Sequence, residues 1–154
     1  MSDTELLKLA AIDEEDLAVV SAYAQDAVLK VEDIAYLPAQ NRFALAMNRF
    51  GWERADEKRR NYERRRSALV FDRVRAVRTT GIDRDRPDDV LELLAITFAA
   101  SDTPPDGTIE ILFAGDAGIR LDVECIETRL ADLGAAWATG LKPWHALDDG
   151  DTPT

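Results

Sequence analysis

The sequence predicts an α+β domain dominated by antiparallel sheet: a bent meander or barrel-like sheet, with one helix near the N-terminus and another near the C-terminus. Three observations carry that expectation. Period-two alternation recurs along most of the chain, most clearly on two arms at 108–113 and 119–123. The links between alternating stretches read as too short for a parallel crossover, so neighbouring strands should run antiparallel. Two segments repeat at helical spacing instead.

Taken in order, residues 6–12 read as a short first strand. Asp13 follows as an N-cap with Asp16 three residues on, and Glu14 and Glu15 sit where the helix dipole favours negative charge. Leu17, Val20, Ala24 and Ala27 or Val28 then fall on one helical face, which predicts a helix over about 14–26. Leu29 and Val31, then Ile34 and Tyr36, alternate with polar residues, but the phase slips at Glu32-Asp33 as at a bulge. Pro38-Ala39-Gln40-Asn41 makes a turn, and Phe43, Leu45 and Met47 begin a strand that runs towards Phe50 and Trp52.

Residues 53–66 hold almost nothing to bury except Tyr62, and read as an exposed loop or a solvated helical excursion. Residues 67–77, with Val70, Phe71, Val74 and Val77, predict a strand that bends at Asp72-Arg73. A polar connection at 81–89 leads to 90–98, where Val90, Leu91 and Leu94 fit a helix while Leu94, Ile96 and Phe98 fit a strand. Position favours the strand, because a compact loop around Pro104, Pro105 and Gly107 leads straight into the next arm.

The two arms around 114–118 organise the chain. Ile109, Ile111 and Phe113 alternate with Thr108, Glu110 and Leu112, while Ile119, Leu121 and Val123 alternate with Arg120 and Asp122. Ala114-Gly115-Asp116-Ala117-Gly118 has the length and glycine content of a hairpin loop, since glycine reaches positive φ without steric cost. Beyond it, Ile126, Leu130 and Leu133 fall at helical spacing, with Asp122 as N-cap and Gly134 as stop, which predicts a terminal helix. Trp137 and Trp144 are expected to cover the sheet. The apolar-free tail 148–154 is expected to be disordered, leaving one domain over 1–147. A bent meander closed by a C-terminal helix resembles pleckstrin-homology-like barrels, in which that helix plugs one open end. A flatter sheet with both helices on one face is the competing arrangement.

Composition narrows the function classes. With 154 residues, 46% of them hydrophobic, the chain can bury one sizeable core. No apolar run reaches the length of a membrane span, and the start of the chain lacks the basic and apolar blocks of a signal peptide. One cysteine, Cys125, cannot form an internal disulfide, so a cytoplasmic setting is expected and no membrane partner. The net charge of −11 repels polyanions and disfavours nucleic acid. That charge is uneven: residues 49–78 carry 11 basic and five acidic side chains, a balance of +6, which leaves −17 elsewhere.

Signatures of catalysis are sparse. The glycines at 115 and 118 lack a following Lys-Ser/Thr and are accounted for by the hairpin, so no phosphate loop is assigned. Asp83, Asp85, Asp88 and Asp89 are interrupted by Arg84 and Arg86, with no glycine where a calcium loop turns, and read as a solvated loop. A Cys125–His145 dyad has one footing, a thiol near the start of the terminal helix; burial of cysteine and the position of His145 in the C-terminal region count against it. No catalytic residue, metal ligand or cofactor is assigned. The candidate interaction patch is Trp52, Arg54, Tyr62, Arg64, Arg65 and Arg66, where guanidinium forks and rings stand close in sequence. It has three readings: a solvated face, a protein contact that includes self-association, and, least favoured, a nucleic-acid contact through the same segment.

Several stretches carry a likeness to a known family: Asp33-Ile34-Ala35-Tyr36-Leu37-Pro38, Asn41-Arg42-Phe43-Ala44-Leu45, Asn48-Arg49-Phe50, Phe71-Asp72-Arg73-Val74, Gly81-Ile82-Asp83-Arg84, and the run from Ile119-Arg120-Leu121-Asp122-Val123-Glu124-Cys125-Ile126 to Asp132-Leu133-Gly134. On these residues the chain resembles a family of uncharacterised alphaproteobacterial proteins, domain of unknown function 2948. The resemblance supplies no activity, ligand or catalytic residue. The expectation is therefore a non-enzymatic interaction or regulatory domain, with a small-ligand binder or enzyme using a cavity in the sheet as a further alternative.

Overall fold

The computed structural model describes residues 6–50 and 64–133. Ten strands and one α-helix appear among them: β1 (Lys8–Ala11), α1 (Glu14–Ala24), β2 (Val28–Lys30), β3 (Ile34–Leu37), β4 (Arg42–Phe50), β5 (Arg64–Phe71), β6 (Val74–Thr80), β7 (Val90–Ala100), β8 (Gly107–Phe113), β9 (Ala117–Val123) and β10 (Thr128–Asp132). Every strand pair is antiparallel. The spatial order is β1-β10-β5-β4-β2-β7-β8-β9-β6, with β3 paired to β4 off that path. Among the described residues the sheet therefore stays open.

Local chemistry explains most boundaries. The Asp13 side chain accepts from the Asp16 N–H at 2.8 Å, as the cap requires, and Leu17, Val20 and Ala24 present one buried stripe. The Ser21 hydroxyl, on the same helix, accepts from the Ile96 N–H at 2.9 Å and pins α1 to β7. At the expected phase slip the chain makes a short 3₁₀ turn over Val31–Asp33, so β2 and β3 lie along the same edge of β4 with a break between them. The bend at Asp72-Arg73 separates β5 from β6, and Arg73 takes a positive φ of 66° there. On β7 the register shifts between Leu93 and Ala95. That bulge puts Leu91, Leu93 and Ile96 inward while Leu94 is exposed, which is why the segment carries both periodicities.

Two expectations are corrected. Residues 64–66, read as the end of an exposed connection, open β5 against β4, because their backbone pairs with 48–50; Trp137, Trp144 and the tail 148–154 lie outside the described residues. Residues 126–133 do not form a terminal helix; they hold β10, antiparallel to both β5 and β1. Thr128, Leu130 and Asp132 are the buried positions of that strand, so its true period is two. The alternation was hidden because two of its three inward residues are polar, while Ile126, Leu130 and Leu133 happen to repeat at helical spacing.

The main core lies inside the fold, and a smaller cluster of Ala44, Ala46 and Val70 is buried on the other face of β4 and β5. Phe43, Leu45, Met47, Leu69, Phe71 and Leu130 from one half of the sheet pack in one cluster with Leu93, Ile96, Ile111, Ile119 and Leu121 from the other. The halves therefore face each other across the same interior, with α1 against β7 and β1. A corner stitches them together: the Glu124 N–H donates to the Arg73 carbonyl and the Asp72 N–H to the Glu127 carbonyl, both at 2.9 Å. Above the stitch, the Arg73 guanidinium meets Glu127 at 3.0 Å and Glu124 at 3.7 Å.

Candidate functional site

Because the sheet does not close, β3 and β6 each keep one edge with no strand partner among the described residues. Both strands border the same cleft. Inward alternation on β3 supplies Ile34 and Tyr36, and on β6 it supplies Val77 and Thr79; Val31 and Ile82 complete an apolar rim, and Phe43 forms the floor. The cleft encloses about 210 Å³. Tyr36 lies tilted over Phe43 with ring centroids 6.4 Å apart, and Phe43 stands at the same distance from Phe71, so an aromatic ladder connects the mouth of the cleft to the core. Arg84 sits at the mouth, exposed, with no ion pair among the described residues.

Ile34, Tyr36, Phe43, Ile82 and Arg84 fall within three of the stretches that carry the likeness to a known family. The family model described as a protein of unknown function, DUF2948, matches residues 7–145. The chain belongs to the DUF2948 family. No curated protein and no solved structure matches it.

In this DUF2948 domain the predicted patch is only partly described. Trp52, Arg54 and Tyr62 lie outside the described residues, and of Arg64 the backbone alone is described, paired with Phe50. Arg65 pairs in register with Arg49, and Arg66 with Asn48, so strand alternation places Arg65 and Arg66 on opposite faces of the sheet. The Arg66 guanidinium donates to Asn48 Oδ1 and Asp33 Oδ1, both at 3.3 Å, while Asp33 Oδ2 accepts the Lys30 N–H at 3.1 Å. Arg66 is thus engaged in holding β2, β4 and β5 together.

The other described cations of 49–78 are spread over the fold. Arg49 is buried against Asp132. Arg73 belongs to the corner, and Arg75 bridges Asp106 and Asp122 at 3.2 and 3.0 Å. Donation from the Ser101 hydroxyl, and then from Arg75, holds the Asp106 carboxyl below the ordinary range. Arg78 is exposed on β6 and has no ion pair among the described residues. It borders an open concavity of about 690 Å³ on the outer face of the sheet, with Leu94, Leu112 and the Arg120–Glu110 pair.

Cys125 is half-buried in the turn between β9 and β10, with no helix beginning there to polarise its thiol, and His145 lies outside the described residues. Asp83 caps the Asp85 N–H at 2.9 Å and Asp89 pairs with Arg86, which accounts for half of the acidic loop. No group of three His, Cys, Asp or Glu side chains stands ready for a metal ion among the described residues. No described helix is long and apolar enough to cross a membrane.

Sequence reasoning did not find the cleft, because it forms between strands distant in the chain. It also missed the buried Arg49–Asp132 pair. A signal for the pair was present: Phe43, Leu45, Met47 and Arg49 form one alternating series, so a charge ends a row of inward residues.

Proposed function

We propose that the protein is a non-enzymatic interaction domain that works through contacts with a partner protein, docked at the cleft between β3 and β6. The observation that carries this reading is an apolar cleft bordered by two strand edges that lack partners among the described residues. Its size supports side chains as occupants: about 210 Å³ is below the roughly 300–1,000 Å³ of small-molecule sites, and suits one or two apolar side chains. Its lining holds no imidazole, thiol or carboxylate, and its two hydroxyls, on Tyr36 and Thr79, have none of these beside them in the cleft to act as an activating base. We further read the bent, open meander as pleckstrin-homology-like, and its setting as cytoplasmic, on the single free Cys125.

Selection from a random-peptide display library on the wild-type chain, with Ile82→Asp as counter-target, tests the reading. Clones retained by the wild type and lost on Ile82→Asp are expected, the variant's fold being checked by circular dichroism. Absence of any clone that distinguishes the two proteins overturns the reading.

A second reading, a small-ligand binder, is favoured by the 690 Å³ concavity, which reaches small-molecule size and brings Arg78 beside Leu94 and Leu112. Thermal-shift screening of anionic metabolites against wild type and Arg78→Ala tests it; uniform absence of shifts removes it.

A further inference from the structure

We infer that the partner segment enters as an extended, acidic strand that pairs with the edge of β6 left unpaired among the described residues, placing apolar side chains in the cleft and carboxylates outward against Arg78, with Arg84 adding longer-range attraction at the mouth of the cleft. This rests on the reading of the cleft as a docking site and adds the backbone mode and the charge of the occupant.

The choice of edge follows from how sheet proteins protect their margins. An unpaired edge presents a row of N–H and C=O groups, and it is normally kept short, charged, bulged or covered. β1 is four residues long and begins at Lys8. β3 is also four residues long, with 3₁₀ turns at both ends, the second opening on Pro38. β6, in contrast, has seven residues and no proline, and its protection is limited to the charges of Arg75 and Arg78 and a shift at its first residues. Its single register shift falls between Val74 and Ala76, so pairing with β9 is regular from Ala76 to Thr80, the part that borders the cleft. Among the described residues, β6 is therefore the long, regular edge left open. A strand laid against it projects alternate side chains into the cleft beside Val77 and away from it beside Arg78.

Charge selects the occupant. Arg78 on the outer side of β6 and Arg84 at the mouth of the cleft have no ion pair among the described residues, in contrast to Arg73 and Arg75 nearby. β6 carries two cations and no carboxylate, so pairing with β6 of a second copy would set like charge beside like charge with nothing on either strand to offset it, which is destabilising. A foreign strand bearing Glu or Asp at alternate positions sets carboxylates beside Arg78 on the outer side and is drawn in by the charge of Arg84 at the mouth of the cleft.

Fluorescence polarisation with a labelled hexapeptide, Thr-Glu-Ile-Glu-Val-Thr, and its counterpart Thr-Lys-Ile-Lys-Val-Thr tests the inference. The wild type should bind the acidic peptide and discriminate against the basic one, and Arg78→Glu/Arg84→Glu should reverse that preference. Methylation of the amide nitrogens on one alternate set should weaken binding about tenfold, the loss expected for backbone hydrogen bonds, while the other set is tolerated. Equal tolerance of both methylated sets, an unchanged preference in the double variant, or no binding of either peptide at millimolar concentration overturns the inference. If the display selection still yields clones sensitive to Ile82→Asp, the docking reading stands while this mode falls; if it yields none, the docking reading itself has failed.

Discussion

Arg49 donates from Nε to Asp132 Oδ1 at 2.9 Å and from a terminal nitrogen to Oδ2 at 2.8 Å, and both side chains are almost wholly buried. The bidentate fork is closed by two further donors: the Ser67 hydroxyl to Oδ1 at 2.7 Å and the Leu7 N–H to Oδ2 at 3.0 Å. The Tyr23 ring lies 5.9 Å from the guanidinium carbon. One ion pair thus ties β4, β5 and β10 to the start of β1 and to α1. It also fixes the register of β10, because a slip by one residue would turn Asp132 away from Arg49.

Removing one partner of this pair should cost far more than removing both. Arg49→Met leaves a buried carboxylate without its countercharge and should destabilise the fold by about 3–5 kcal/mol; Asp132→Leu should do the same to the guanidinium. The double variant Arg49→Met/Asp132→Leu should lose much less than the two single losses together. Urea denaturation of the four proteins measures the coupling, and additive losses would refute it.

Acid should attack the same pair. Burial by itself raises the Asp132 pKa, but donation from Arg49, Ser67 and the Leu7 N–H outweighs it and holds the carboxyl below the ordinary range. A carboxyl depressed in the folded state contributes stability that is complete above its unfolded pKa, about 3.9, and is lost as pH falls through the folded value. Urea midpoints of the wild type should therefore fall below about pH 4, and Asp132→Asn should show a shallower decline across that window. Parallel declines would sink the assignment.

Thr128 offers the opposite sign. Its side chain is buried on the inward face of β10, and its Oγ1 finds no hydrogen-bond partner among the described residues. Thr128→Val keeps the shape, suits a strand and removes an unsatisfied hydroxyl, so it should stabilise the protein by about 1 kcal/mol. A lowered melting temperature would show that the hydroxyl is satisfied in solution.

Gly107 marks a close approach at the foot of the β7–β8 hairpin. A Cβ there would stand 2.4 Å from the Ala99 carbonyl oxygen and 2.6 and 2.8 Å from atoms of the Phe98 ring. Gly107→Ala should cost about 1–3 kcal/mol, because backbone as well as ring must move. Adding Phe98→Leu should recover only part of that loss, since the carbonyl contact remains; full recovery in the melting temperature would assign the clash to the ring alone.

Much of this architecture was legible residue by residue. The hairpin at 108–123, the Asp13 cap, the slip at Glu32-Asp33 and the bend at Asp72-Arg73 all depend on neighbours a few positions apart, and each was read where it occurs. The terminal helix failed for a specific reason. Asp132 looks like a surface residue until Arg49, 83 positions away, is opposite it, and only then does Thr128-Leu130-Asp132 become an inward row. The basic segment misled in a similar way, since nearness in sequence says nothing of which face each strand residue takes, and Arg65 and Arg66 fall on opposite sides of the sheet.

By itself, then, the sequence determined where the chain alternates, caps and turns, because those choices are settled by interactions within one or two turns of backbone. Only the tertiary structure decided that β10 lies between β5 and β1, that a charged pair belongs inside, and that an apolar cleft forms between β3 and β6 among the described residues. Those outcomes come from register and burial summed over distant segments, where a residue's environment is set by partners that local periodicity cannot name.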